Sequence, residues 1–215
     1  MAELFRIPSP GVALWWGRDG DPLIVLVHDW YGRLPWLESV AELFAREGFR
    51  VVVPDLYQGN ATGSSEAAAR LMGGLNVAGA LRTIDDVIIS ARHSGSARAS
   101  VVGFSMGGWL ALLYAQGGAV DAVAAFSATL ATKDHGVIPC PVMLHFAVTD
   151  EWEPGEEPED FIARLEEHGT PVTEHTYPRT RPSFTNGTIP GLLNPNAAQL
   201  ALSRTASFVA GHVLD

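Results

Sequence analysis

The chain has 215 residues and carries 14 Lys and Arg against 24 Asp and Glu, a formal net charge of −10. That length fits one domain with a proper buried core, and 47% hydrophobic against 18% charged residues is the balance of a folded chain, not a disordered one. The negative charge argues against a nucleic-acid surface, which needs clustered Lys and Arg. No apolar run reaches the roughly 18 residues of a membrane span. The one cysteine, Cys140, excludes an internal disulfide and any multi-cysteine metal site. The N-terminal Met1-Ala2-Glu3-Leu4-Phe5-Arg6 lacks a basic region followed by an apolar stretch, so no secretory leader is expected and the expected location is cytoplasmic.

Along the chain, strand-like runs alternate with helix-like runs. Residues 23–28 (Leu-Ile-Val-Leu-Val-His) read as a strand buried on both faces. Residues 36–47 place Leu37, Val40, Ala41 and Phe44 at helical spacing, and Gly48 stands where a C-cap belongs. Residues 50–55 form a second strand, stopped by Pro54, and a Gly/Ser-rich loop follows over 58–65. Residues 77–92 are an amphipathic helix, 99–102 a third strand, and 107–116 a helix so apolar that it must be central. Strands are expected at 120–126 and 142–148, a helix at 161–167, a strand nearer the sheet edge at 172–177, and a closing helix at 197–210. The order β-α-β-α-β-α-β-β-α-β-α predicts one α/β domain over 1–215, three-layered, with a mostly parallel central sheet. Ligand chemistry belongs at the carboxyl ends of its strands.

The most informative segment is Val101-Val102-Gly103-Phe104-Ser105-Met106-Gly107-Gly108-Trp109, which matches G-x-S-x-G with a strand before and a helix after. A strand that turns abruptly into a helix strains the corner residue and needs small neighbours, here Gly103 and Gly107. Ser105 is then presented as a nucleophile at a helix N-terminus, where free N–H groups and the helix dipole favour an oxyanion. A glycine-rich turn that only lets the helix pack is the plainer alternative, and the flanking strand and helix favour the nucleophile. Met106 N–H is the first candidate oxyanion donor. The second is Trp30 N–H, from the loop His28-Asp29-Trp30-Tyr31-Gly32 that follows the first long strand. The side chains of His28 and Asp29 read as structural groups that order this loop. Asp150 ends the strand begun at Val142, where a triad carboxylate stands in Ser…Asp…His order. The neighbouring acids from Glu151 to Asp160 read as solvated loop and helix start.

These segments resemble the dienelactone hydrolase family of α/β hydrolases over about Gly11 to His212. The likeness rests on Leu-Val-His-Asp-Trp-Tyr-Gly (26–32), Val-Val-Val-Pro-Asp-Leu-Tyr (51–57), Gly-Phe-Ser-Met-Gly-Gly (103–108), Leu-His-Phe…Asp150-Glu-Trp, Tyr177-Pro178 and Arg204-Thr…Phe208. It implies an α/β-hydrolase fold and hydrolysis of small esters or lactones with no metal and no cofactor. Many members carry cysteine at the elbow; this chain has Ser105, and Cys140, set between prolines, reads as a packing residue. The family's Tyr-Pro-Gly-x-Gly-His-x-Phe corresponds to Tyr177-Pro178-Arg179-Thr180-Arg181-Pro182-Ser183-Phe184, so Pro182 occupies the histidine position. Proline accepts no proton, and loss of a triad member costs about 10⁴–10⁶ in rate.

Of the seven histidines, His135 and His28 are the candidate replacement bases; His145 and His175 lie inside strands, and His93, His168 and His212 read as helix-end residues. Arg179 and Arg181 read either as solvated loop residues or as a clamp for an anionic ligand. Tyr31 and Trp30 are candidates to line a small-molecule pocket, whereas Trp109 reads as core. The leading expectation is a serine hydrolase of a small ester, lactone or thioester, impaired or altered by the missing histidine. The alternative is a hydrolase-fold protein that binds or rearranges a small molecule without hydrolysis, and the third is an interaction module with a vestigial pocket. The expected partner is a small molecule, with neither nucleic acid nor membrane, and the expected assembly is a monomer or homodimer.

Overall fold

The computed structural model describes residues 4–7, 10–148 and 157–214. Its strands are β1 (Leu4–Arg6), β2 (Leu14–Trp16), β3 (Leu23–Val27), β4 (Arg50–Val53), β5 (Asn60–Thr62), β6 (Ala99–Phe104), β7 (Ala122–Phe126), β8 (Val142–Ala147) and β9 (Val172–Tyr177). Its helices are α1 (Trp36–Arg46), α2 (Ser65–Gly73), α3 (Val77–His93), α4 (Met106–Ala115), α5 (Pro158–Glu167) and α6 (Pro195–Val213).

A seven-stranded sheet has the order β2-β4-β3-β6-β7-β8-β9, with β2 antiparallel to β4 and every other pairing parallel. Parallel neighbours require crossovers, and the helices supply them on both faces. One face packs under α3, α4 and α5, the other under α1 and α6. This is the three-layer sandwich expected from the alternation of runs. Because both faces are covered, every residue of β3, β6, β7 and β8 is buried, which explains their continuous apolar sequences. The strand order reverses between β3 and β6, since β4 lies on one side and β7 to β9 on the other. The crevice beyond the carboxyl ends of β3 and β6 is therefore the topological switch point, where ligand sites of open α/β sheets form.

Four elements went unread in the sequence. β1 and β5 pair as a separate two-stranded ribbon, and β2 is an edge strand; each has three residues, too few for a period to show. Helix α2 begins within the stretch read as a loop. Ser64, whose Oγ accepts from Ala67 N–H at 3.5 Å, caps it. The closing helix also starts earlier than its apolar spacing suggests, because Asn194 caps it and Pro195 takes the first turn.

The burial pattern sets a stability expectation. Leu26 in β3 is fully buried between the layers, whereas Leu200 on α6 is 47% exposed. Leu26→Ala should cost about 2–5 kcal/mol in urea unfolding, and Leu200→Ala less than about 0.5 kcal/mol.

Candidate active site

Ser105 sits at the junction of β6 and α4, with φ 54° and ψ −116°. Such a conformation costs a non-glycine residue on the order of 1–3 kcal/mol, and the surroundings must over-determine it. They do so from both sides. Ser105 N–H donates to Phe126 O on the neighbouring β7 at 2.7 Å, and Ser105 O accepts Trp109 N–H at 3.0 Å, the first turn of α4. A Cβ on Gly103 would overlap the carbonyl of Gly107, and one on Gly107 would overlap the carbonyls of Val27 and His28. The two glycines of the motif are therefore obligatory for steric reasons, since backbone meets backbone at both.

The same contact brings the loop after β3 against the first turn of α4. Met106 is the first residue of that turn, where backbone N–H groups have no partner within the helix. Its fully buried thioether accepts the Tyr57 hydroxyl at 3.0 Å. Trp30 lies in a tight turn closed by Gly32 N–H donating to Asp29 O at 3.1 Å. The side chain of Asp29 holds this turn: Oδ1 accepts Tyr31 N–H at 2.9 Å and Oδ2 accepts Asn186 Nδ2–H at 3.0 Å. Burial pushes the Asp29 carboxyl up to about 7, against the pull of these two donors. The two candidate oxyanion donors are thus on adjoining backbone segments at the switch point.

Among the described residues no histidine is found hydrogen-bonded to Ser105 Oγ. His28 is fully buried with both ring nitrogens engaged, Nδ1–H donating to Asp29 O at 2.7 Å and Nε2 accepting Leu56 N–H at 3.2 Å. These bonds join the loops after β3 and β4, in keeping with the loop-ordering role read for this side chain, and occupy both ring nitrogens. His135 is also displaced. Its neighbours Asp134 and Gly136 bind Gln116 at the C-terminal end of α4, about 16 Å along the helix from Ser105 at 1.5 Å per residue. Its own Nδ1 accepts Arg164 Nε–H of α5 at 3.1 Å. His145 is the most deeply committed. Thr205 Oγ1 donates to Ala201 O at 2.9 Å and therefore accepts His145 Nε2–H at 3.0 Å, leaving Nδ1 to accept the Tyr177 hydroxyl at 2.8 Å. Asp150, the candidate acid, lies outside the described residues.

Beside Ser105 is a cavity of about 10 Å³, lined by Phe104, Ser105, Phe126, Ser127, Ser183, Phe184 and Thr185. The segment after β9 closes it. Pro182 is half-buried and leads into Ser183 and the buried Phe184, whose ring packs 5.1 Å from Tyr177 and 6.2 Å from Phe126. Arg179 has φ 59°, the left-handed conformation that the family's glycine would adopt without strain. Both Arg179 and Arg181 are exposed, and neither lines this cavity. Tyr31 is absent from it too. It is 6% exposed, packed in the core under α1, with its hydroxyl 3.3 Å from Ser65 Oγ. Its ring is buried in the core rather than lining the cavity beside Ser105. Reading the sequence missed Ser127 and the Asp29–Asn186 tie, both of which depend on contacts between segments remote in the chain. Among the described residues no group of three or more His, Cys, Asp or Glu is placed to hold a metal ion, and no helix is long and apolar enough to cross a membrane.

A three-layer sandwich with a strained serine at a strand-to-helix corner defines an α/β hydrolase. Comparison with known proteins narrows this: the chain belongs to the dienelactone hydrolase family, whose model matches residues 13–213. Hydrolysis of the esterase type is the chemistry of that class. The chain is 26% identical over 203 residues to Protein usf of Aquifex pyrophilus, covering 88% of this chain and 87% of that one. It is 24% identical over 204 residues to carboxymethylenebutenolidase of Pseudomonas putida, covering 88% and 85%. Among solved structures it is similar to a dienelactone hydrolase-like promiscuous phosphotriesterase from metagenomic libraries, with TM-score 0.78, 16% identity and coverage of 93% and 92%.

The buried titratable groups give the fold a pH dependence with a definite sign. Burial lowers His28 to about 4 and His145 to about 3, both from an ordinary 6.5, so the fold holds them neutral. The unfolded chain takes up protons near 6.5 that the fold refuses, so their contribution is full above that pH and is lost as pH falls toward 4. Asp29 acts oppositely, since its raised carboxyl keeps a proton that the unfolded chain releases near 3.8, and its burial costs stability as pH rises toward 7. Two histidines outweigh one aspartate, so the urea midpoint should fall between pH 6.5 and 4.5. His145→Gln should flatten that fall whatever it does to the midpoint at pH 7.5. An unchanged slope in His145→Gln would show that the ring is protonated freely in the fold.

Proposed function

We propose that the chain is a serine hydrolase of small esters, lactones or thioesters. In this reading Ser105 Oγ attacks the carbonyl carbon, and the amides of Met106 and Trp30 receive the negative charge that develops on its oxygen. Asp150 is the carboxylate expected at the end of β8. The observation that carries the proposal is the backbone of Ser105 at φ 54°, held by glycines that admit no side chain. A turn needed only for packing has no use for a strained serine, whereas a nucleophile must stand clear of both strand and helix.

In this reading Pro182 stands at the histidine position, no described histidine is hydrogen-bonded to Ser105 Oγ, and the proton that Ser105 loses on attack passes to solvent. Catalysis then rests on orientation and on the oxyanion donors, which alone sustain about 10³–10⁴-fold acceleration over water in hydrolases stripped of a triad member. Such an enzyme favours acyl groups with good leaving groups, which need no protonation on departure. The engagement of His28, His135 and His145 elsewhere and the smallness of the cavity beside Ser105 support a second reading, in which the site binds or rearranges a small molecule without hydrolysis.

A fluorophosphonate probe separates the two, because phosphonylation depends on a reactive serine hydroxyl. The first reading expects stoichiometric labelling at Ser105, abolished in Ser105→Ala, together with slow turnover of p-nitrophenyl acetate that vanishes in the same variant. An unlabelled wild-type protein, or turnover that survives Ser105→Ala, would contradict it.

A further inference from the structure

Five non-glycine residues among those described have a left-handed backbone, and three of them, Ser105 (φ 54°), Ser127 (φ 48°) and Ser183 (φ 63°), line the small cavity beside Ser105. Strain of this kind collects where a site is built. The first two are related by the sheet. Phe104 and Phe126 are register partners on β6 and β7, and each serine is the residue immediately after its phenylalanine. Adjacent strands run about 4.8 Å apart, so the two serines leave neighbouring strand ends side by side. Their backbones are pinned there: Ser105 N–H donates to Phe126 O at 2.7 Å, and Ser127 N–H donates to His145 O at 2.8 Å.

Ser127 Oγ is the unexplained atom. The residue is 4% exposed, and its hydroxyl has no hydrogen-bond partner among the described residues. A buried hydroxyl left unpaired is costly, and a polar void is where an ordered water resolves that cost. The cavity of about 10 Å³ is the size of one water centre, and Ser105, Ser127, Ser183 and Thr185 line it together with Phe104, Phe126 and Phe184.

We infer that Ser127 holds a single water beside Ser105 and that this water hydrolyses the acyl group once Ser105 carries it. The inference rests on the reading of Ser105 as the nucleophile. In the step, the water oxygen forms a bond to the acyl carbon while the bond from that carbon to Ser105 Oγ breaks. One water proton passes to Ser105 Oγ, restoring the hydroxyl, and the carboxylic acid so formed gives up its other proton to solvent. Ser127 is a positioning residue in this step: its hydroxyl accepts from or donates to the water and aims a lone pair at the carbon, in place of the imidazole that Pro182 cannot supply.

The test separates deacylation from acylation. Wild type, Ser127→Ala and Ser127→Gly are acylated with excess p-nitrophenyl acetate and gel-filtered, and the decay of the acyl-enzyme is followed by intact mass; glycine tolerates the left-handed backbone and so removes the hydroxyl without adding strain. The expected result is acyl-enzyme decay slowed about tenfold or more in both variants, the loss of one orienting hydrogen bond, at an unchanged acylation rate. Equal decay in all three proteins would overturn the role of Ser127 and leave Ser105 as the nucleophile. Acylation and decay slowed in the same proportion would overturn it as well, by showing a merely structural effect. A wild-type protein that never acylates would overturn the reading of Ser105, and this inference with it.

Discussion

The site depends on one steric constraint, the direct contact of the first turn of α4 with the carbonyls of Val27 and His28 at Gly107. Without that contact α4 would stand away from the sheet, Ser105 would relax from φ 54°, and the loop carrying Trp30 would lose its place beside Met106. The sheet topology explains why the contact falls there. β3 and β6 are adjacent parallel strands at the reversal of strand order, so the segments leaving their carboxyl ends must share one crevice. The apolar character of α4 follows too: a helix pressed this close to the sheet has seven of its ten residues buried and no face for solvent.

Beside this corner packs the segment after β9. It carries Arg179, Arg181 and Pro182, and its Ser183, Phe184 and Thr185 line the cavity beside Ser105. Asn186 joins Asp29 across the oxyanion loop, Thr188 Oγ1 accepts Trp36 N–H at 3.1 Å at the start of α1, and Phe184 fills the space against Phe126 and Tyr177. The tie to Asp29 matters chemically, because the same carboxylate shapes the turn that presents Trp30. Through this hydrogen bond the segment after β9 and the loop after β3 are tied together beside Ser105.

Much of this was legible in the sequence. The parallel sheet declared itself in continuous apolar runs, since strands buried on both faces have no polar positions to alternate with. The strand-to-helix corner at Ser105 was legible because sterics demand glycine at 103 and 107. What stayed hidden depended on register and on contacts far apart in the chain. That Ser127 lies beside Ser105 follows only from the pairing of Phe104 with Phe126. That His28 and His135 are engaged elsewhere follows from partners at Leu56 and Arg164. Tyr31 illustrates the same limit: an aromatic residue in a loop reads equally as pocket or core, and burial decides for core.

The central claim is that the corner at Ser105 is a hydrolase site complete but for its base. Installing that base tests it most directly, by replacing Arg179 and Arg181 with glycine and Pro182 with histidine and measuring p-nitrophenyl acetate turnover. The account predicts a rate increase of about 10²-fold or more, the usual worth of a placed general base, abolished by adding Ser105→Ala. A folded triple variant no faster than wild type, or one whose gain survives Ser105→Ala, would contradict it.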